Sequence, residues 1–265
     1  MDTWRKTDPR PSRISHEVAG LAWLADAGPG SAPVVPVLAS GRTWLEEPRL
    51  QRVAPSDAAA EEFGRALART HAAGAPRLGA PPPGYEGDGW MGGAPLPLLE
   101  DAAPASWGVF YAEYRIAPYL GAPGFSPADR ALLERLCARL ASGEFDHGQP
   151  ALVAASGAGA ARTHGDLWSG NVLWTPAGAT LIDPAAQGGH AEEDLAALGV
   201  FGCPRLERIL DAYDEASPLD DGWRERLGLH RLHILVVHVA LFGAAYRGDV
   251  VEIARRFDSR RPSGA

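Results

Sequence analysis

A two-lobed α+β protein is the fold class that this 265-residue sequence predicts, with a small, truncated amino-terminal lobe and a mostly helical carboxy-terminal lobe. Three observations predict it. Residues 1–48 alternate short extended runs with one helical pattern; residues 49–258 are dominated by helical periodicity; and a polar loop at His164–Asn171 is followed by a hairpin pattern that ends on Asp183. In the first lobe, Thr3-Trp4-Arg5-Lys6 reads as a strand and Asp8-Pro9-Arg10-Pro11-Ser12 as a loop. A helix is expected from Ser15 as N-cap, with Glu17 in its first turn and Val18, Leu21, Ala22 and Leu24 on one face. Pro33–Leu38 and Arg42–Glu46 read as two strands flanking Ala39-Ser40-Gly41, and Glu46-Glu47-Pro48 as the crossover.

Beyond the crossover, Ser56 is a good N-cap for a helix over Asp57–Ala73, with Phe63, Leu67 and His71 on a common face. Asp57, Glu61 and Glu62 suit the positive end of its dipole. The stretch from Gly74 to Pro97 is rich in Gly and Pro and carries Tyr85, Trp90 and Met91; it reads either as the lining of a site or as a packed surface loop. Helices are expected near Ser106–Ala117, Ser126–Ser142, Glu192–Phe201, Arg205–Tyr213 and Gly222–Tyr246, and residues 259–265 as a flexible tail.

Composition narrows the function. Hydrophobic and charged shares of 46% and 22% fit a globular chain able to bury a core. A net charge of −8 argues against nucleic acid or an anionic membrane as the main partner. Cys137 and Cys203 lack metal-ligand spacing and read as buried thiols of a reducing compartment. No basic-then-apolar leader opens the chain, and the most apolar run, Leu232–Tyr246, is too short to span a bilayer, so a cytoplasmic location is expected. His230, His233 and His238 are spaced by three, five and eight, which makes no clean zinc site. Nothing in the sequence sets an oligomeric state.

Lys6 is the sole lysine, every other basic position being Arg. It reads either as a survivor by chance on a terminal strand or as a position where a compact ammonium is needed against phosphate. The segment His164-Gly-Asp-Leu-Trp-Ser-Gly-Asn171 places Asp166 and Asn171 five apart, the H-x-D-x-x-x-x-N spacing of kinase catalytic loops. Val172-Leu-Trp174 and Thr180-Leu-Ile182 read as strands joined at Pro176-Ala-Gly178, so Asp183 returns opposite Asn171. Two oxygen donors distant in sequence can then share one Mg²⁺.

These residues carry a resemblance. Lys6, Glu17, the Asp166/Asn171 loop and Asp183 follow the order found in protein-kinase-like phosphotransferases. More narrowly, the His164–Asn171 segment, Leu181-Ile-Asp-Pro-Ala185 and Gly189-His190…Glu192-Glu-Asp-Leu-Ala196 resemble the fructosamine kinase (ketosamine 3-kinase) family over nearly the whole chain. Aminoglycoside- and choline-kinase relatives share the Asp and Asn but usually lack Trp-Ser between them.

The resemblance implies a protein-kinase-like fold using ATP and Mg²⁺. Asp166 would be the catalytic carboxylate, and Asn171 and Asp183 the metal ligands. Lys6, oriented by Glu17, would contact the α- and β-phosphates, and Leu45, Glu46 and Glu47 would form the hinge that meets adenine. His164 and Asp194 would brace the loop, and Trp168 would either floor the sugar or pack the loop. The acceptor would be a ketosamine, as a small molecule or on a glycated protein lysine, with deglycation as the outcome. Relatives usually carry two strands and a glycine-containing phosphate loop before the lysine strand. Here Lys6 lies five residues after Met1, so the lobe is expected to lack them. Two rivals stand beside this reading: an aminoglycoside-type or other small-alcohol kinase, for which Glu100 and Asp101 or Asp220 and Asp221 would have to face the site, and an inactive nucleotide-binding pseudokinase, for which Lys6 would point into solvent.

Overall fold

The computed structural model describes residues 2–101 and 103–259; the expected tail lies outside the described residues except for Ser259. The small lobe contains β1 (Thr3–Thr7), α1 (Pro11–Ala25), β2 (Ala39–Gly41) and β3 (Trp44–Pro48). Its sheet is antiparallel in the order β1-β3-β2, with Lys6 opposite Leu45 and Ser40 also opposite Leu45. The helix α1 begins at Pro11, four residues before the Ser15 start expected from sequence. A proline at the first helical position gives up no hydrogen bond and brings its φ already set, so the Pro-rich loop ends earlier than its composition suggests. Glu17 therefore sits in the second turn, on a buried face with Ile14, Leu21 and Leu24, while Ala22 is exposed.

Pro33–Leu38 is not a strand of this sheet. Two prolines remove ladder donors there, and the segment instead bridges to the large lobe, with Val35 N donating to Leu181 O and Leu181 N to Pro33 O. Ala39–Gly41, expected as the turn, is itself strand. The helix α1 also leans on the large lobe: Trp23 and Leu24 pack with Ala75, Ala160 and Ala186.

The large lobe opens with α2 (Asp57–Ala72), capped by Ser56 Oγ accepting from Ala59 N at 3.1 Å. A short hairpin of β4 (Gly89–Met91) and β5 (Ala94–Leu96) interrupts the Gly/Pro-rich stretch. Next come α3 (Trp107–Phe110), which runs on through a π-helical segment to Ile116, α4 (Pro127–Ala141) with a Ser126/Asp129 capping box, and α5 (Ala151–Ser156). Two antiparallel pairs follow. One joins β6 (Ala161–Thr163) to β9 (Gln187–Gly189); nested within it is the hairpin of β7 (Val172–Thr175) and β8 (Gly178–Leu181). The chain finishes with α6 (Ala191–Leu198), α7 (Leu206–Ala216), α8 (Trp223–His230), α9 (Leu232–Phe242) and α10 (Arg247–Asp258).

Two apolar clusters hold this lobe. Phe63 and Leu67 of α2 meet Trp174, Leu195 and Tyr213 behind the β7–β8 hairpin. Phe110, Tyr111, Leu136, Val236 and Phe257 join α3, α4, α9 and α10. Trp223–Asp258 has the length and mean hydropathy, 1.6, of a membrane-crossing helix. It bends at Gly243, whose φ of 74° is left-handed, and Leu232–Val237 are buried against protein. The eleven residues of α9 span only about 16 Å, so α9 belongs to the core.

Candidate active site

The His164–Asn171 loop leaves β6 and enters β7 through a 3₁₀ turn. Gly165 makes its sharp exit possible: φ is 81°, and a Cβ there would stand 2.0 Å from the Ala185 carbonyl oxygen. The backbone is anchored from beneath by the fully buried Asp194, whose Oδ2 accepts from His164 N at 2.7 Å and whose Oδ1 accepts from Gly165 N at 2.9 Å. Asp194 Oδ2 also meets His71 Nε2 at 3.1 Å, and His71 Nδ1 lies 2.8 Å from the Tyr213 hydroxyl. His164 Nδ1 accepts from Asp166 N at 3.3 Å, so Nε2 carries the hydrogen that goes to Ile182 O at 2.9 Å. Burial keeps this imidazole below its ordinary range and hence neutral. His164 and Asp194 thus brace the loop rather than face the cavity.

Asp166, Asn171 and Asp183 come together as the hairpin pattern suggested. Ile182 N donates to Asn171 O at 3.1 Å, and Asn171 Nδ2 donates to Asp166 O at 2.8 Å and more distantly to Asp183 O. With its amide nitrogen engaged, Asn171 has its carbonyl oxygen left for a cation. Asp183 adopts a left-handed backbone, φ 53°, one of two non-glycine residues to do so among those described. Such strain persists only where the surroundings impose it. Its Oδ1 lies 3.1 Å from Lys6 Nζ, which also donates to Glu17 at 2.8 Å.

Lys6, Glu17, Asp166, Asn171, Asp183 and Trp168 line a single cavity of about 210 Å³. Three carboxylates face one ammonium, and the titration behaviour follows. Burial opposes it, but Glu17 and Asp183 hold the Lys6 ammonium above its usual range; burial, and then the Asp183 charge, raise Glu17. Burial, followed by repulsion from Asp183 and Asp194, pushes Asp166 up to about 7. An all-oxygen donor pair beside surplus negative charge fits a hard divalent cation such as Mg²⁺.

A second cavity of about 510 Å³ adjoins the first at Asp183, and its walls include Val35, Glu47, Leu173 and Ile182. The hinge expected at Leu45–Glu47 divides here. Because β3 is the central strand, its backbone is paired on both edges, and Glu46 O already accepts from Leu38 N at 2.8 Å. The Leu45 side chain is fully buried, and the Glu46 side chain pairs outward with Arg5. Glu47 alone of the three lines the cavity. Burial, with Asp183 and Glu17 nearby, raises it to about 7, and its Oε1 is buried without a hydrogen-bond partner among the described residues.

Several cavity residues escaped sequence reasoning. Arg13 and His16 come from α1, and Trp90 and Gly92 from the β4–β5 hairpin. Only Trp90 had a signal, as an aromatic in an over-long Gly/Pro loop. His16 Nδ1 accepts from Trp90 N at 3.2 Å, which ties that hairpin over the cavity. Trp168 contacts Phe201 edge-on at 5.7 Å between ring centroids, so it both lines the cavity and packs the loop.

The family model for fructosamine kinase matches residues 7–258, which is nearly the whole chain. The chain belongs to the fructosamine kinase family. A fructosamine kinase homologue from Thermobifida fusca, itself only provisionally called a fructosamine-3-kinase, superposes with a TM-score of 0.82 at 40% identity, covering 96% of this chain and 85% of that one. The mouse ketosamine-3-kinase is 34% identical over 160 residues, 60% of this chain; the matched stretch is about half of the mouse protein, 49%. A choline/ethanolamine kinase family protein from Mesorhizobium loti has a TM-score of 0.55 at 16% identity over 97% of this chain and 82% of its own. That likeness concerns the fold alone and puts this fructosamine kinase family member in the two-lobed, protein-kinase-like class.

Proposed function

We propose that the protein is an ATP- and Mg²⁺-dependent kinase that phosphorylates a sugar hydroxyl of a ketosamine. The observation that carries this reading is the meeting of two cavities at Asp183, one lined by Asp166 and Asn171 and the other walled by Val35, Leu173 and Ile182. The apolar walls suit a nucleotide base, and Glu47 lies on the same cavity wall. Lys6, already held by Glu17 at 2.8 Å, faces the phosphates. Asn171 and Asp183 would hold Mg²⁺, which would supply charge neutralisation on those phosphates. Asp166 orients the acceptor hydroxyl and accepts its proton at a carboxylate oxygen. Trp168 and Trp90 offer aromatic faces to the sugar, and Arg13 a cation at the cavity wall.

The catalysis asked of these groups is mainly positioning and charge compensation, because the transferring phosphoryl group passes through a loose transition state. A phosphate placed on the sugar's third carbon makes the ketosamine adduct labile, so deglycation of a free amino acid or a protein lysine is the expected consequence. The rival readings find less support. Neither Glu100 and Asp101 nor Asp220 and Asp221 line the cavity, and Lys6 is paired rather than splayed into solvent.

ATP consumption with fructosamine-lysine and ribulosamine-lysine, run beside Asp166→Asn, tests the proposal. Wild type is expected to turn over and the variant to fall by about 10²–10⁴-fold with nucleotide affinity kept. Equal rates would remove Asp166 from the chemistry; no turnover on either sugar would remove the ketosamine.

A further inference from the structure

Away from the cavity at Asp166, three side chains from separate elements converge: His147 from the connector between α4 and α5, Glu192 from the first turn of α6, and His230 from the last turn of α8. His230 Nε2 lies 3.0 Å from His147 Nε2 and 3.3 Å from Glu192 Oε2, and His147 Nε2 lies 3.6 Å from that same oxygen. These separations bracket the ~3.3 Å edge of a tetrahedron with arms of ~2.0–2.1 Å, the coordination size of zinc with nitrogen and oxygen ligands.

In the metal-free cluster His230 Nε2 carries the hydrogen between His147 Nε2 and Glu192 Oε2; zinc binding moves it to Nδ1, which is buried and has no hydrogen-bond partner among the described residues. His147 Nδ1 donates to the Phe145 carbonyl at 2.8 Å, and since a carbonyl only accepts, Nε2 carries the free lone pair. That carbonyl contact is also the kind of outer partner that fixes a ligating imidazole. Arg226 holds Glu192 Oε1 at 2.7 Å and reaches Oε2 at 3.2 Å, which sets the carboxylate plane. His190 is a wall rather than a ligand, because Nδ1 accepts from Glu192 N at 3.2 Å and Nε2 faces the Gly148 carbonyl at 3.0 Å.

We propose that His147 Nε2, His230 Nε2 and a Glu192 carboxylate oxygen form a buried zinc site whose fourth position is left to water. His147 and Arg226 border a groove also lined by Asp146, Asp220 and Asp221, which offers an acidic entry path. Arg226 and the positive end of α6 oppose a cation here; the Glu192 charge and the three groove carboxylates favour it. The two-imidazole, one-carboxylate set suits Zn²⁺, whereas the all-oxygen pair Asn171/Asp183 suits Mg²⁺, so the two ions sort by ligand chemistry. Zinc would clamp the start of α6 to the α4–α5 connector and to α8. Asp194 lies two residues beyond Glu192 and anchors the His164–Asn171 loop, so the ion would stiffen the support beneath that loop. The spacings of His230, His233 and His238 make no zinc site in the sequence; the close partners of His230 come instead from 38 and 83 positions upstream.

The test is zinc binding by the full chain after chelator stripping, measured by competition with a chromogenic chelator and by metal analysis. One equivalent per chain is expected, weakened about 100-fold or more in His147→Gln and in His230→Gln, with zinc raising the melting temperature of wild type only. Cobalt substitution of the unmutated protein gives an independent readout should a variant not fold, since four-coordinate cobalt absorbs strongly in the visible and six-coordinate cobalt weakly. A weak six-coordinate spectrum, or equal zinc affinity in wild type and folded variants, would overturn the proposal and leave a hydrogen-bonded cluster.

Discussion

Replacing Asp194 with asparagine should be among the most costly single changes in this protein, although the two residues differ by one atom type. Asp194 Oδ2 accepts from His164 N at 2.7 Å and faces His71 Nε2 at 3.1 Å; Oδ1 accepts from Gly165 N at 2.9 Å. Every neighbour is therefore a donor. Asparagine keeps one oxygen, and its NH₂ must confront an N–H whichever way it turns. Loss of one bond to a charged acceptor costs about 1.5–3 kcal/mol, and leaving a buried N–H unpaired makes the loss hard to recover. The surviving bonds weaken as well, because charge-assisted bonds are roughly twice as strong as neutral ones. A total of about 3–5 kcal/mol follows, a large share of the ~5–15 kcal/mol that stabilises a domain. Urea unfolding at pH 7 measures it directly, and kcat should fall with it because the loop carrying Asp166 loses its anchor. The pH dependence supplies a second check. Burial works against it, but the hydrogen bonds from His71 and from the His164 backbone N–H hold Asp194 below the usual carboxylate range. Its stabilisation is therefore complete above the unfolded carboxylate pKa and is lost as pH falls through the folded one. The gap between wild type and variant should narrow in acid. A variant within ~0.5 kcal/mol of wild type at pH 7, which is the size of an ordinary surface substitution, would refute the bracing role.

Three further outcomes are expected. Asp183→Ala should weaken Mg²⁺-dependent ATP binding by about tenfold or more, roughly 1.4 kcal/mol; an unchanged Mg²⁺ titration would remove it from the metal shell. Gly165→Ala should cost about 2–4 kcal/mol in urea unfolding, since a Cβ would stand 2.0 Å from the Ala185 carbonyl oxygen at a φ of 81°. Burial lowers His16 to about 4, so the unfolded chain takes up this proton first and stability should fall between about pH 6.5 and 4, by on the order of 3 kcal/mol from this group. Asp166 and Glu47, both raised to about 7, act with the opposite sign in that window, so the check is the wild-type pH slope against that of His16→Gln; equal slopes would contradict the burial argument.

What was legible in the sequence was what is local. The β7–β8 hairpin and the placing of Asp183 near Asn171 follow from a twelve-residue separation and a Pro-Ala-Gly turn, and the Ser56 cap announces its helix. Short elements with distant partners left no pattern: β6 and β9 are three residues each and pair across the whole catalytic hairpin. The start of α1 was misplaced because Pro11 reads as loop until its position at the helix start is known. The hinge shows the same limit. Leu45-Glu46-Glu47 is contiguous, yet strand pairing takes up the backbone of the first two and only Glu47 lines the cavity.

Lys6 marks the boundary between what composition can isolate and what only the fold can assign. Its being the sole lysine among 25 basic residues singled it out, but gave no partner. The partner depends on α1, whose second turn brings Glu17 to within 2.8 Å, and on a strained Asp183 backbone 177 residues away that brings a second carboxylate to 3.1 Å. An ammonium on a flexible stem can satisfy both from one point, whereas a planar guanidinium would have to face two carboxylates set at different angles. Arg is used at every other basic position, including the exposed Arg5 beside it on the same strand. The exception therefore falls where a point charge must serve converging carboxylates, and that convergence is a property of tertiary structure.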